Sequence, residues 1–309
     1  MVSCACDAKM RHMDDRDWLA ERFEDDRPRL RAVAYRMLGS ITDAEDAVQD
    51  TWERVNRAGS DEVENLSGWL TTILARVCLN MLRARNTRRE ESLDVYVPDP
   101  IVRPEGELLP EDEALLADSV GLALQVVLDT LTPAERLAFV LHDMFDLPFD
   151  EISMMMGRTP GATRQLATRA RRRLKGADLS DLERDVARQR AVVDAFFAAG
   201  RAGDFDALVA VLHPDVVLRA DFSPGRPRRS AVVRGATAVA RQARFGAQTR
   251  ADVHPAMVNG AAGAVITLRG KPFSVLAFGI VGGQITEIDA IGDPDRVARV
   301  TADFLGSAP

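Results

Sequence analysis

The chain has 309 residues, room for two or three domains, and its 46% apolar and 28% charged content suits a folded globular protein. Its net charge is −7, so a polyanion such as DNA can be held only by local basic patches. No apolar run approaches the roughly 18 residues of a membrane span, no leader pattern opens the chain, and three cysteines make no disulfide framework. Cytoplasm is the expected location, with no membrane partner, metal or cofactor.

Residues 1–14 read as a disordered tail. Leu19, Phe23, Leu30, Val33, Ala34, Met37 and Leu38 then recur at helical intervals, with Pro28 marking the start of a second helix and Gly39 its end. Thr42-Asp43-Ala44-Glu45 is a capping box that opens a helix reaching Arg57. A polar loop follows. Trp69 to Arg85 is helical, with Trp69, Ile73, Val77, Leu79 and Leu82 inward and Thr72, Arg76, Asn80 and Arg83 on the polar side. Arg83, Arg85, Arg88 and Arg89 form a first basic patch. Residues 91–113 hold Pro98, Pro100, Pro104 and Pro110 among many acids and read as an extended, weakly ordered linker.

Thr132-Pro133-Ala134-Glu135 is another capping box, predicting a helix from Pro133 to about Asp143. A short helix fits Phe149 to Met156, Gly157 breaks it, and Thr159 caps a last helix with Pro160 in its first turn. Two short helices about a Gly-containing turn are a helix-turn-helix pattern. In the last helix Ala162, Leu166, Ala170 and Leu174 make the apolar stripe. Arg164, Thr168, Arg171 and Lys175 fall opposite, with Gln165 and Arg172 beside them. Those donors suit a DNA major groove, where Arg reads G, Gln reads A, and other cations neutralise phosphates. The arginine run alone would read as a solvated face; the cap, turn and stripe before it favour DNA.

After a connector at 177–188 comes a helical pair ending at His213-Pro214 and a strand from Asp215. A helix near Ala236 to Phe245 precedes strands at Val253–Asn259, Ala261–Leu268 and Phe273–Val281, and Gly282-Gly283 turns a hairpin into Gln284–Ile291.

RLRAVAYRMLGSITDAEDAVQDTW and GWLTTILARVCLNMLR resemble the second conserved region of bacterial sigma factors. LTPAERLAFVLHDMFDLPFDEISMMMGRTPGATRQLATRARRRL resembles the fourth. Their pairing without a third region resembles the extracytoplasmic-function (ECF) group, and the part after residue 188 resembles the SnoaL-like cone. The resemblance implies a multidomain fold: two all-α sigma domains, at 15–90 and 114–176, followed by an α+β cone at 189–309. It implies core RNA polymerase as partner, gripped through Asp46, Gln49 and Asp50. It further implies a melted −10 element read by Arg76, Asn80 and Arg83, and a double-stranded −35 element read by Arg164, Gln165, Thr168, Arg169, Arg171 and Arg172. The linker would thread toward the polymerase RNA-exit channel. Tail-bearing members carry three short motifs, matched here by Val97-Pro98-Asp99-Pro100, by Asp221-Phe222-Ser223-Pro224-Gly225 at its ends only, and by Asp293-Pro294-Asp295-Arg296-Val297. Regulatory contacts are therefore expected at Pro98, Asp99, Pro100, Asp221, Gly225, Arg226, Asp293, Pro294 and Asp295.

Two function classes compete. The first is a promoter-specificity subunit with a built-in regulator, its tail pocket offering room for a small-molecule ligand. The second is a SnoaL-like enzyme or ligand sensor carrying a DNA-binding targeting module, with His213, Asp221, His254 and Asp289 as acid–base candidates. The second sigma-like region has no use in an ordinary repressor, and the first class is the expectation. No catalytic residue is assigned.

Overall fold

The computed structural model describes residues 3–58, 63, 65–89, 96–105, 121–175, 183, 185–222, 230–247, 251–302 and 304. They divide into two compact units, one formed by the described residues within 3–87 and 131–171, the other by those within 88–105, 121–130 and 172–304. The first is helical; the second carries the sheet.

In the helical unit α1 (Ser3–Leu38), α2 (Ile41–Ala58) and α3 (Leu66–Arg89) come first. The expected tail is a correction, since α1 is already present at Ser3. Nothing in the preceding stretch is Gly or Pro, and a helix once nucleated lengthens at small cost. A second correction concerns Pro28, which lies inside α1 and starts no new helix. Leu19, Phe23, Leu30, Val33, Ala34, Met37 and Leu38 are all buried, so the apolar stripe keeps its phase across the proline. Burial of both halves outweighs one missing backbone bond. Gly39 then takes a left-handed φ of 69°, and Ser40, not Thr42, caps α2: its hydroxyl accepts the Asp43 N–H at 3.3 Å. Asp43 itself is taken by Arg85 of α3, whose guanidinium also donates to the Leu38 carbonyl at 2.6 Å. The other end of α3 is tied to α1 through Arg29, Ser67 and Asp26.

Helix α4 (Gly121–Leu128) belongs to the sheet-bearing unit, whereas α5 (Pro133–Phe139), a π-turn (Val140–Met144), α6 (Phe149–Met156) and most of α7 (Pro160–Lys175) complete the helical one. Thr132 and Glu135 exchange both bonds of the capping box. The helix expected to reach Asp143 changes to π geometry at Val140, so its last turn holds an extra residue. Gly157 ends α6 in the left-handed region at φ 63°. Arg136, 2% exposed, donates to the Arg36 carbonyl at 3.0 Å and ties α5 to α1.

The sheet-bearing unit is α+β, with helices packed on one face of its sheet. It contains α8 (Val186–Ala202), α9 (Phe205–Val211), β2 (Leu212–Asp221), β3 (Ala231–Arg234), α10 (Ala236–Ala247), β4 (Ala251–Val258), β5 (Ala261–Leu268), β6 (Lys271–Val281), β7 (Gln284–Ile291) and α11 (Pro294–Val300). With β1 (Val102–Arg103), contributed by the linker, they order as β1-β4-β5-β6-β7-β2-β3, with β2 and β7 parallel. β2 starts at Leu212, ahead of the expected Asp215, because its first residue already pairs with Ile285. Val216, Leu218, Ala220, Phe278, Ile288 and Ala290 face the helices, where Phe196, Phe197 and Phe278 meet edge to face. On the other face Val258, Val265, Val275, Ala277 and Ile291 pack with Val97 and Val102 of the linker, Val126 of α4, and Val297 and Phe304. The linker's described part is extended as expected, yet residues 97–102 are buried, because they complete a core that the tail alone leaves open.

Thr132→Ala should remove about 1 kcal/mol of local stability, read as roughly fivefold faster amide exchange in α5 with the sheet unaffected.

Candidate nucleic-acid interface

Helix α7 buries Thr163, Leu166, Ala167, Ala170 and Leu174, the i, i+3, i+4, i+7, i+11 stripe of one helix face. Thr163 and Ala167 thus replace half-buried Ala162 in the predicted stripe, because a straight helix has 3.6 residues per turn. The N-terminus is held by Thr159, whose hydroxyl accepts the Ala162 N–H at 3.2 Å. On the outer side Arg164, Gln165, Arg169 and Arg172 are exposed and Thr168 and Arg171 partly so. Thr168 donates its hydroxyl back to the Arg164 carbonyl at 2.9 Å. The Lys175 side chain lies outside the described residues.

These cations are not equivalent. Arg171 makes a forked pair with Asp143 of the π-turn, at 2.7 and 3.1 Å, so its charge is largely cancelled. That pair competes with the predicted base- or phosphate-reading role of Arg171. Arg164 lies over the Phe149 ring, 5.3 Å from its centroid, and keeps its charge.

On α3, Arg76, Asn80 and Arg83 are exposed and spaced to share one face. Trp69 and Ile73, expected inward, are half-buried at the margin of that face, while Leu70, Leu74 and Ala75 take the core positions. Arg85 of the first basic patch is committed to the α1–α2 turn, and the Arg88 and Arg89 side chains lie outside the described residues. Cys78 is buried, which pushes its thiol up to about 12 and leaves it inert at neutral pH. On α2, Asp46 and Gln49 are exposed, whereas Asp50 is held by Arg54 in two bonds of 2.9 Å.

The expected regulatory residues converge in part. Arg296, at the start of α11, donates to Asp99 at 2.5 Å, to Asp221 at 2.6 Å and to the Val97 carbonyl, and lies over the Tyr96 ring. Burial lowers its pKa, but the Asp99 and Asp221 carboxylates outweigh that and hold it above the ordinary arginine value. Asp221 also accepts the Val97 N–H at 3.0 Å. The Ile101 N–H donates to Asn259 Oδ1 at 2.6 Å and its carbonyl accepts the Asn259 N–H at 2.9 Å, and Val102 and Arg103 pair with Val258 and Met257. Glu105 pairs with Arg190 of α8. Pro98 and Pro100 are buried in this seam. Asp293 caps α11 by accepting the Arg296 N–H at 2.9 Å. Pro294 and Asp295 are exposed and make no part of the seam, because they form the first turn that presents Arg296. Gly225 and Arg226 lie outside the described residues. Sequence reasoning missed Arg296 as the hub, although it is the one cation in the closing motif and both other motifs supply carboxylates.

The acid–base candidates of the enzyme reading are dispersed. His213 accepts the Asp215 N–H at 3.2 Å in the irregular first part of β2, and His254 bonds Thr267 at 2.9 Å. Strand alternation puts Asp289, with Arg219 and Glu287, on the linker-covered face, since Ile288 and Ala290 face the helices. Arg219 bridges Asp289 at 3.2 Å and Glu287 at 3.0 Å. An open groove of about 520 Å³ lies elsewhere, between α9 and α10, with Arg234 and Arg241 on its lining.

Burial pushes Asp289 up to about 7, with Glu287 adding to the rise and Arg219 opposing it. The folded state therefore holds a proton that the unfolded chain releases near 3.8. Stability of the sheet unit should fall as pH rises from about 4 to 7, then level off. Calorimetry of the whole chain should show that slope, and Asp289→Asn should remove it. Arg296→Ala, which strands two buried carboxylates, should cost about 3–5 kcal/mol and open residues 96–103 to proteolysis.

The sigma-70 region 2 family model matches residues 22–88, and the sigma-70 region 4 model matches residues 121–174. SigJ, an ECF RNA polymerase sigma factor of Mycobacterium tuberculosis, is 34% identical over 287 residues, covering 89% of this chain and 91% of SigJ. SigI of the same organism is 33% identical over 300 residues, covering 95% of this chain and all of SigI. The crystal structure of SigJ superposes with a TM-score of 0.70 at 31% identity, covering 90% of this chain and 97% of that one.

Proposed function

The chain belongs to the ECF sigma factors, promoter-specificity subunits of RNA polymerase, and from that membership we propose how its own residues divide the work. Arg164, Gln165, Thr168 and Arg169 read base edges of the −35 element in the major groove, and Arg172 contacts phosphate. Arg76, Asn80 and Arg83 hold the melted −10 strand. Asp46 and Gln49 grip the polymerase, with Asp50 released from Arg54 when it joins them. The observation that carries this reading is the α7 surface: one face buried to the last turn, the other a row of exposed donors.

The tail acts in this reading as a built-in regulator. The linker that would thread toward the RNA-exit channel is stitched into the tail by Arg296, Asp221 and Asn259, so the two placements exclude each other. In the helical unit the Arg136–Arg36 bond holds α5 against α1, a closed state of the two DNA-reading parts. The protein works in the cytoplasm, and its tail binds the chain's own linker and performs no catalysis.

Run-off transcription with purified core polymerase tests this. Full-length protein should initiate only with core enzyme and only at matched promoters. Arg164→Ala should cost about 1–3 kcal/mol of discrimination at one −35 base pair, whereas Arg172→Ala should weaken matched and scrambled elements alike and lower the salt slope by about one. Disruption of the seam by Asp99→Ala should raise initiation if the tail only restrains the linker. Tight promoter binding without core enzyme would overturn the assignment of roles.

A further inference from the structure

The proposal that Arg164 reads a base leaves open what aims a long side chain with about 2 kcal/mol of rotamer entropy. Three residues in front of α7 bear on this. Phe149, the first residue of α6, packs against the Ala138, Leu166 and Ala167 cluster. Its ring stacks on His142, with centroids 3.8 Å apart and planes at 29°. His142 is itself fixed through Nδ1 to the Leu147 carbonyl at 2.9 Å. The Arg164 guanidinium covers Phe149, 5.3 Å from the ring centroid. His142 belongs to the π-turn that also carries Asp143.

The two arginines nearest this turn are therefore treated in opposite ways. Asp143 takes the fork of Arg171, consuming the donors that would read a guanine. A ring carries no carboxylate oxygens, so it does not spend the guanidinium's N–H donors on an ion pair as Asp143 does. The Arg164 donors are then available for a bidentate bond to G O6 and N7. Ordering an arginine on a ring narrows its rotamers before DNA arrives, which lowers the entropy lost on contact. A structural apolar residue at position 149 would give the packing against Leu166 without this aim.

We propose that Phe149, backed by His142, is the positioning residue for Arg164 and sets how sharply one base pair of the −35 element is read. This rests on Arg164 as a base reader, and the experiment separates the two. Full-length protein with core polymerase is assayed on a promoter series carrying every single substitution in the −35 element. Arg164→Ala identifies the column that Arg164 reads. Phe149→Leu, which keeps apolar bulk against Leu166, should lose about two- to fivefold of discrimination in that column alone, the worth of an exposed cation–π contact. The salt slope should not change, because no charge is removed. Phe149→Tyr and Phe149→Trp should restore the discrimination. An unchanged column in Phe149→Leu, with Arg164→Ala flattening it, overturns the proposal and leaves the base reader standing. An equal loss in all columns, unrescued by Tyr or Trp, also overturns it and marks Phe149 as packing only. If Arg164→Ala flattens no column, the base-reader assignment falls and this proposal falls with it.

Discussion

The sheet-bearing unit depends on one buried cation. The Arg296 side chain is 15% exposed and its partners Asp99 and Asp221 are 7% and 13% exposed, so each charge is tolerable only while the others are in place. Such a cluster adds little net stability compared with an apolar cluster of the same shape, but it punishes any arrangement that separates its members. Its value is specificity of placement. Asp99 and the Val97 carbonyl come from the linker, Asp221 from the end of β2 and Arg296 from α11, so one guanidinium fixes three segments at once.

Placement of the linker then propagates. Once Val97 is held, Ile101 meets Asn259, β1 adds to the β4 edge, and Val97 and Val102 close the face of the sheet opposite the helices. The edge of β4 is covered by the chain's own linker, which also removes an exposed template for pairing with another chain. Val126 of α4 joins the same core, so a helix matched by the sigma region 4 model shares hydrophobic burial with the tail. A tail integrated in this way is coupled to the linker by its own folding energy.

The same electrostatic economy governs α7. In a chain of net charge −7, cations remain available to DNA only where no carboxylate reaches them. Arg171 is reached by Asp143 and Arg85 by Asp43, whereas Arg164 meets an aromatic ring. Counting arginines along the helix cannot separate these cases, since the deciding partners sit in the preceding helices.

What the sequence determined by itself is whatever a few consecutive residues can satisfy. The Thr132–Glu135 box, the Gly157 stop, the Thr159 cap and the Gly282-Gly283 turn all depend on backbone groups within four positions, and each is found where the residues place it. The donor face of α7 and the exposed Arg76, Asn80 and Arg83 were legible for the same reason, because helical period alone fixes them. Tertiary structure decided the rest. Thr42 and Ser40 are equally good caps in isolation, and Gly39 with the Arg85–Asp43 pair selects Ser40. The linker's prolines and acids read as a solvated segment until Arg296, 197 positions further on, neutralises Asp99. Strand β1 spans two residues and has no periodicity to detect; it exists because β4 offers an open edge. Asp289 looks identical from either side of an alternating strand, and only the neighbouring layers tell which face holds the helices and which the linker.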